Sequence, residues 1–190
     1  MENNPIVDAF ALINPLSEQT RMDFGSIITF GSLPKKTFLL EAGKVANTLF
    51  YIKKGLARAF YNHDGEEITF YFAIDRQFIG AVPSLFSGKP SLCAIQLIED
   101  SEVYSFRYQE YESCCGRHHD LETAARKLSS MVILREQERI ESLRLKTANE
   151  RYLMAEEQHP GISHRSPLKY IASYIATSAV SLSRIRAGNQ

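Results

Sequence analysis

Soft metal ligands crowd together at one place in the chain, Cys114-Cys115-Gly116-Arg117-His118-His119. On a helix, Cys114 with His118, or Cys115 with His119, would stand one turn apart and could share a metal ion. Gly116 weakens such a helix, and no further Cys or paired His lies nearby in sequence. The preferred reading is structural, with cysteine acting as a small apolar residue, so no metal site is expected. No nucleophile, base and orienting group form a recognisable set, and no catalytic residue is assigned. A metal enzyme built in a small β-barrel needs a His-rich strand cluster. The five histidines, at 63, 118, 119, 159 and 164, avoid the β-rich part of the chain, which argues against an enzyme.

A second chemistry is suggested near the end. From Pro160 onward there are four basic residues, Arg165, Lys169, Arg184 and Arg186, and no acidic one. The net charge of the whole chain is zero, so the remainder carries 18 basic and 22 acidic residues. A mildly acidic body with a basic end suits contact with an anionic partner. Within this region Leu168, Ile171, Ala172 and Ile175 fall on one helical face. Ala176-Thr177-Ser178 interrupts, and Val180, Leu182 and Ile185 resume an apolar set. Two short helices joined by about three residues form a helix-turn-helix, with Ser178 placed to cap the second helix. Its outward residues would be Ser178, Ala179, Ser181, Arg184 and Arg186, positions that in such a motif meet base edges and phosphates. Any pair of packed helices shares this rhythm, so the motif alone leaves a purely structural role open.

The elements that must carry these residues are legible in outline. Residues 5–30 read as short helices, with Asn14-Pro15-Leu16 as a break and Ser17 as a cap. From about 36 to 106, short β-rich runs recur at 37–40, 49–53, 56–61, 68–73, 93–98 and 103–106. Turn signals separate them, Asp64-Gly65 being a strong hairpin signal. Many short strands without crossover helices predict a sandwich or a jelly roll. Residues 119–147 then form one long helix without Gly or Pro. Leu121, Ala125, Leu128 and Val132 make a narrow apolar stripe on it, expected to be a dimer seam. Residues 148–166 are a second amphipathic piece, and Pro160-Gly161 marks a turn. Three cysteines give no disulfide framework, the start of the chain lacks the form of a signal peptide, and no apolar run spans a bilayer. The expected location is the cytoplasm.

This order of parts resembles the CRP/FNR family of bacterial transcription regulators, over nearly the whole chain. The pieces that carry the resemblance are Glu41-Ala-Gly-Lys44, Leu49-Phe-Tyr-Ile-Lys-Lys-Gly55, Phe78-Ile-Gly80, Gly88-Lys-Pro90, Glu99-Asp-Ser-Glu-Val103, and Ile171-Ala172 through Leu182-Ser-Arg-Ile185. The resemblance implies an α+β chain with N-terminal helices, an antiparallel β jelly-roll barrel, a long dimerisation helix and a small all-α helix-turn-helix domain. The segments are 1–118, 119–147 and 148–190. It implies a homodimer on a double-stranded DNA operator, with RNA polymerase as a further partner and no membrane contact. This chain is expected to be a short form, ending almost at the recognition helix.

Cyclic-nucleotide sensors of that family begin a phosphate-binding cassette with Gly-Glu and place an Arg and a small hydroxyl residue about ten residues later. Here Gly80 is present, Ala81 stands at the Glu position, Ser91 at the Arg position and Leu92 at the hydroxyl position. Lys89 is positive but two residues early. A buried phosphate without a cation is costly, so the cassette is read as degenerate and cyclic-nucleotide binding as lost. Leu85, Phe86 and Leu92 are expected to fill the pocket or to suit an uncharged effector, with Lys89 as the lesser candidate for a substitute phosphate partner. Relatives with an iron–sulfur cluster carry cysteines near the N-terminus, and none precedes Cys93 here. A heme ligand stays open, although His63 is expected in an exposed turn. No cofactor is expected, and the effector is unassigned. The competing reading is a cyclic-nucleotide or other small-ligand sensor, or an interaction protein, that binds DNA weakly or not at all.

Overall fold

A computed structural model describes residues 4–188, so the outermost residues of the first and last expected segments lie outside the described residues. Two N-terminal helices come first, α1 (Pro5–Ile13) and α2 (Glu18–Ser26). Asn4 caps α1 by accepting from Ile6 N–H, with Pro5 in the first turn, and Ser17 caps α2 by accepting from Thr20 N–H. The barrel follows as β1 (Thr29–Leu33), β2 (Phe38–Leu40), β3 (Thr48–Lys54), β4 (Ala57–His63), β5 (Glu66–Ala73), β6 (Gln77–Ile79), α3 (Val82–Ser87), β7 (Cys93–Leu97) and β8 (Ser101–Arg107). Two antiparallel four-stranded sheets, in the orders β1-β8-β3-β6 and β2-β7-β4-β5, face each other in a jelly-roll arrangement. The Asp64-Gly65 hairpin forms as expected, both residues taking positive φ. Strands β1 and β6 were not foreseen. Phe30-Gly31-Ser32 and the three-residue β6 carry too little alternation to register.

The helical part comprises α4 (Tyr108–Cys115), α5 (His119–Leu145), α6 (Ala148–Gln158), α7 (Ile162–Arg165), α8 (Leu168–Tyr174) and α9 (Ala179–Arg186). Three apolar clusters hold the chain together. The first lies between the sheets, around Ile52, Ala57, Ala59, Ile95, Leu97 and Val103. The second joins α1, α2, α4 and the start of α5 to the outer side of the barrel, through Ile6, Phe10, Phe24, Phe106, Tyr111 and Leu121. Its rings meet edge to face, Phe10 and Phe24 at 5.1 Å between centroids. The third cluster combines barrel residues Leu56, Phe72, Ile74 and Ile98 with Ala155, Ile162, Ile171, Ala172, Ile175 and Leu182 of the C-terminal helices.

The second cluster corrects the expected seam on α5. Leu121 is fully buried among the protein's own residues, and Ala125 and Leu128 are half-buried against the same cluster. The i, i+4, i+7 stripe at this end of the helix faces its own barrel, because α1 and α4 pack there. Only Val132 is exposed, and it belongs to a different patch further along. Met131, Val132, Ile133 and Leu134 are all exposed, followed by Ile140 and Leu143. Four consecutive apolar residues sweep most of the helix circumference, so this stretch stands free of its own barrel on nearly every side.

Candidate nucleic-acid interface and barrel cassette

The closing helices form a helix-turn-helix that fully buries four of the seven expected inner residues. Ile171, Ala172, Ile175 and Leu182 are each 2% exposed or less. The connection Ile175-Ala176-Thr177 turns sharply because Ala176 adopts φ +52°, a left-handed conformation in which glycine is the easier residue. Thr177 N–H donates to Ala172 O at 2.9 Å across the turn. Arg151, on α6, holds the turn from outside. Its Nε donates to Ile175 O at 2.7 Å and its Nη2 to Ala176 O at 3.2 Å, while Nη1 donates to Lys146 O at 2.6 Å. One guanidinium thus satisfies the carbonyls at the end of α8 and ties them to the end of α5.

Ser178 caps α9, its Oγ accepting from Ser181 N–H at 3.0 Å. Ser178, Ala179, Ser181, Arg184 and Arg186 are all exposed on α9 or at its start. Among the described residues, Lys169, Arg184 and Arg186 make no ion pair, whereas Arg165 is fully engaged with carboxylates. Val180 departs from expectation. It was assigned to the inner apolar set, yet it is 63% exposed and lies on the outer face with the serines, because α9 turns only Leu182 fully inward. The sequence rhythm missed Val180 and Arg151. The first is disguised as core, and the second lies outside the motif.

The cassette is brought together only in part. Gly80 sits where a Cβ would meet Leu49 Cδ2 at 2.7 Å, so a side chain there would displace the end of the Leu49 side chain. Ala81 is buried and precedes α3, and Leu85 joins the first cluster. Ser91 is buried, but its hydroxyl is spent locally. It donates to Cys93 O at 2.8 Å and accepts from Cys93 N–H at 3.2 Å. Lys89 is exposed in the turn after α3. Leu92 and Phe86 contradict their assignment as pocket filling, being 84% and 67% exposed. Leu92 points outward because Ser91 and Cys93, its neighbours in an extended segment, point inward. The space between the sheets is filled instead by Ile52, Ala59, Ile95, Leu97 and Val103, with Leu33, Leu39, Leu40, Leu49, Phe50, Phe70 and Tyr71 packed partly buried against them. Beside it, Leu39, Leu40, Ala46, Asn47, Thr48 and Phe50 line a small open hollow without a charged side chain.

The Cys114–His119 cluster does not assemble as ligands. Both cysteines are buried and burial raises their thiol pKa values, that of Cys115 to about 11. His118 turns instead to Asp23, its Nε2 lying 2.8 Å from the carboxylate, and Asp120 accepts from Thr20 Oγ1 at 2.8 Å. These contacts pin α2 to the start of α5. Among the described residues, no group of three or more His, Cys, Asp or Glu could hold a metal ion.

Residues 30–118 match the family described as Cyclic nucleotide-binding domain. The barrel is similar to that family over its whole length. FixK2 from Bradyrhizobium japonicum is similar in structure with a TM-score of 0.69 and 19% identity, covering 85% of this chain and 84% of that one. A CooA mutant from Carboxydothermus hydrogenoformans gives 0.64 at 14% identity, over 99% and 84%. The catabolite activator protein of Thermus thermophilus gives 0.58 at 19% identity, over 93% and 85%. No curated protein matches the chain by sequence. Such distant likenesses speak for the fold, and together with the domain match they bear out the resemblance to the CRP/FNR family and the fold class expected from it.

Proposed function

We propose that the protein is a homodimeric, DNA-binding transcription regulator of CRP/FNR type whose barrel no longer binds cyclic nucleotides. The observation that carries the DNA reading is α9. It is capped by Ser178, seated by Leu182 in a closed core, and presents exposed Ser, Ala and Val side chains with two arginines that make no ion pair among the described residues. Its start can enter a major groove, where Val180 and Ala179 suit a thymine methyl group and the serines suit either partner of a base pair. Arg184 and Arg186 then supply phosphate contacts, and RNA polymerase would be met by the DNA-bound dimer. The dimer reading rests on the free apolar patch at Met131–Leu134, a hydrophobic surface that a second copy of α5 would cover. Two observations support the loss of cyclic-nucleotide binding. No cation lies at the Ser91 position, and side chains fill the space between the sheets.

The remaining expectations become part of the same proposal. The fold and the absence of a nucleophile–base set favour a regulator over an enzyme. No helix among the described residues is long and apolar enough to cross a membrane, in keeping with the expected cytoplasmic location.

Fluorescence anisotropy with DNA from upstream of the protein's own coding region tests the reading. Arg184→Ala is expected to weaken binding about tenfold or more and to lower the salt slope by about one. Unchanged affinity would remove α9 from the interface. Calorimetry with cyclic AMP and cyclic GMP is expected to show no binding heat. Micromolar binding would restore the sensor reading.

A further inference from the structure

The C-terminal helices and the barrel share one closed core. Leu56, Phe72, Ile74 and Ile98 on the barrel side are at most 7% exposed, and the six residues they meet from α6 to α9 are at most 2% exposed. The apolar centre of this contact is closed like the interior of a single domain, unlike the more polar interfaces between domains that slide or swing. Polar groups lock it at three places. Arg165, in α7, reaches three barrel turns at once. It donates to Glu99 Oε2 at 2.8 Å between β7 and β8, to Asp75 Oδ2 at 3.1 Å between β5 and β6, and to Gly55 O at 2.8 Å between β3 and β4. Thr69 N–H, on the edge strand β5, donates to Ser173 Oγ of α8 at 2.7 Å. Arg58 of β4 is fully buried between the Phe60 ring at 3.9 Å and the Tyr170 ring at 3.5 Å, and pairs with Glu67 at 2.6 Å. Undocking α8 would expose Phe72 and Leu56 and leave the Thr69 amide and the Arg58 stack without their partners.

We infer that the C-terminal helices are a fixed part of the barrel, clamped by Arg165 in its socket of three turns, so that barrel and recognition helix move as one rigid body. The contact is independent of DNA. Its consequence for DNA rests on the proposed function. In a dimer, the separation of the two recognition helices would be set by this contact and not by a swing that an effector triggers.

Amide hydrogen exchange on the 190-residue chain, followed residue by residue by NMR, tests the clamp without DNA. Thr69 is the reporter, because its amide is protected by Ser173, and Ile95 in the central strand β7 is the internal reference. In the wild type, Thr69 is expected to exchange within about tenfold of Ile95, since opening the contact requires global unfolding. Exchange at Thr69 more than a hundredfold faster than at Ile95 would overturn the inference, because the helices would then open alone. Arg165→Ala is expected to speed Thr69 exchange at least tenfold relative to Ile95, and Arg165→Lys, which keeps the charge but loses the fork, by a smaller factor. A Thr69-to-Ile95 ratio that stays at the wild-type value in both variants removes Arg165 as the clamp. Loss of DNA binding with the wild-type exchange pattern intact would count against the proposed function only.

Discussion

His159 makes the stability of the docked C-terminal helices depend on pH in a way that can be worked out. The imidazole is 1% exposed, packed edge-on against Phe72 and Tyr174. Its Nδ1 lies 3.2 Å from Gln77 Oε1 and its Nε2 3.3 Å from Tyr174 Oη. Burial, with a smaller push from the Arg135 charge, lowers its pKa from 6.5 to about 3. The folded chain therefore keeps this ring neutral while the unfolded chain protonates it below pH 6.5. The stability that the neutral ring confers is complete above pH 6.5 and is lost as pH falls toward 3. At pH 5 the unfolded chain lies 1.5 pH units below its midpoint, and at about 1.4 kcal/mol per unit the loss is about 2 kcal/mol. This figure does not depend on how far below pH 5 the folded value lies. Urea unfolding of wild type and His159→Gln at pH 7.5 and pH 5.0 isolates the effect, since other titrating groups cancel in the comparison. The stability difference between the two proteins is expected to narrow by about 2 kcal/mol on acidification. Parallel pH dependence would refute the argument and mean that the ring titrates normally in the folded state.

Three further substitutions separate the roles assigned along α5 and in the turn. Ile133→Glu is expected to convert the proposed dimer to a folded monomer in size-exclusion chromatography with light scattering. Leu121→Ala is expected to leave the oligomeric state alone but to cost about 2–5 kcal/mol in chemical unfolding, because it opens a cavity in the protein's own core. Ala176→Gly relieves a left-handed alanine and is expected to raise stability by about 0.5–1 kcal/mol, a rise of a few degrees in Tm by calorimetry. A fall in Tm would show that the strain at Ala176 is offset by a contact its methyl group makes.

The parts of the fold that announce themselves locally were legible in the sequence. Ser17 and Ser178 are caps with an apolar run behind them, Asp64-Gly65 is a hairpin turn, and the helix from His119 has neither Gly nor Pro. What was hidden depends on which neighbour an apolar face meets. Leu121 and Val132 look alike in the periodicity of α5, yet one lies under α1 and α4 and the other faces solvent. Val180 and Leu182 likewise share an apolar texture, and only Leu182 is covered. Leu92 was placed by alignment with a motif, whereas alternation along the segment turns it outward. The Arg165 socket joins residues more than sixty positions apart in sequence, so no local pattern could reveal it. The proposal of a degenerate cassette starts from residue types alone, Ala81 and Ser91, which no packing arrangement can turn into a carboxylate and a guanidinium.

Strand β5 is the outer strand of its sheet, and α8 lies along it. An uncovered edge is a template for pairing with another chain, and here the cover comes from residues near the end of the sequence. During synthesis the barrel strands emerge well before residues 168–174, so for that interval the edge of β5 and the apolar side chains of Leu56 and Phe72 are open to other chains. The cover over β5 can only form after α8 has left the ribosome. A nascent or prematurely terminated chain ending before α8 would be the form of this protein most in need of a chaperone.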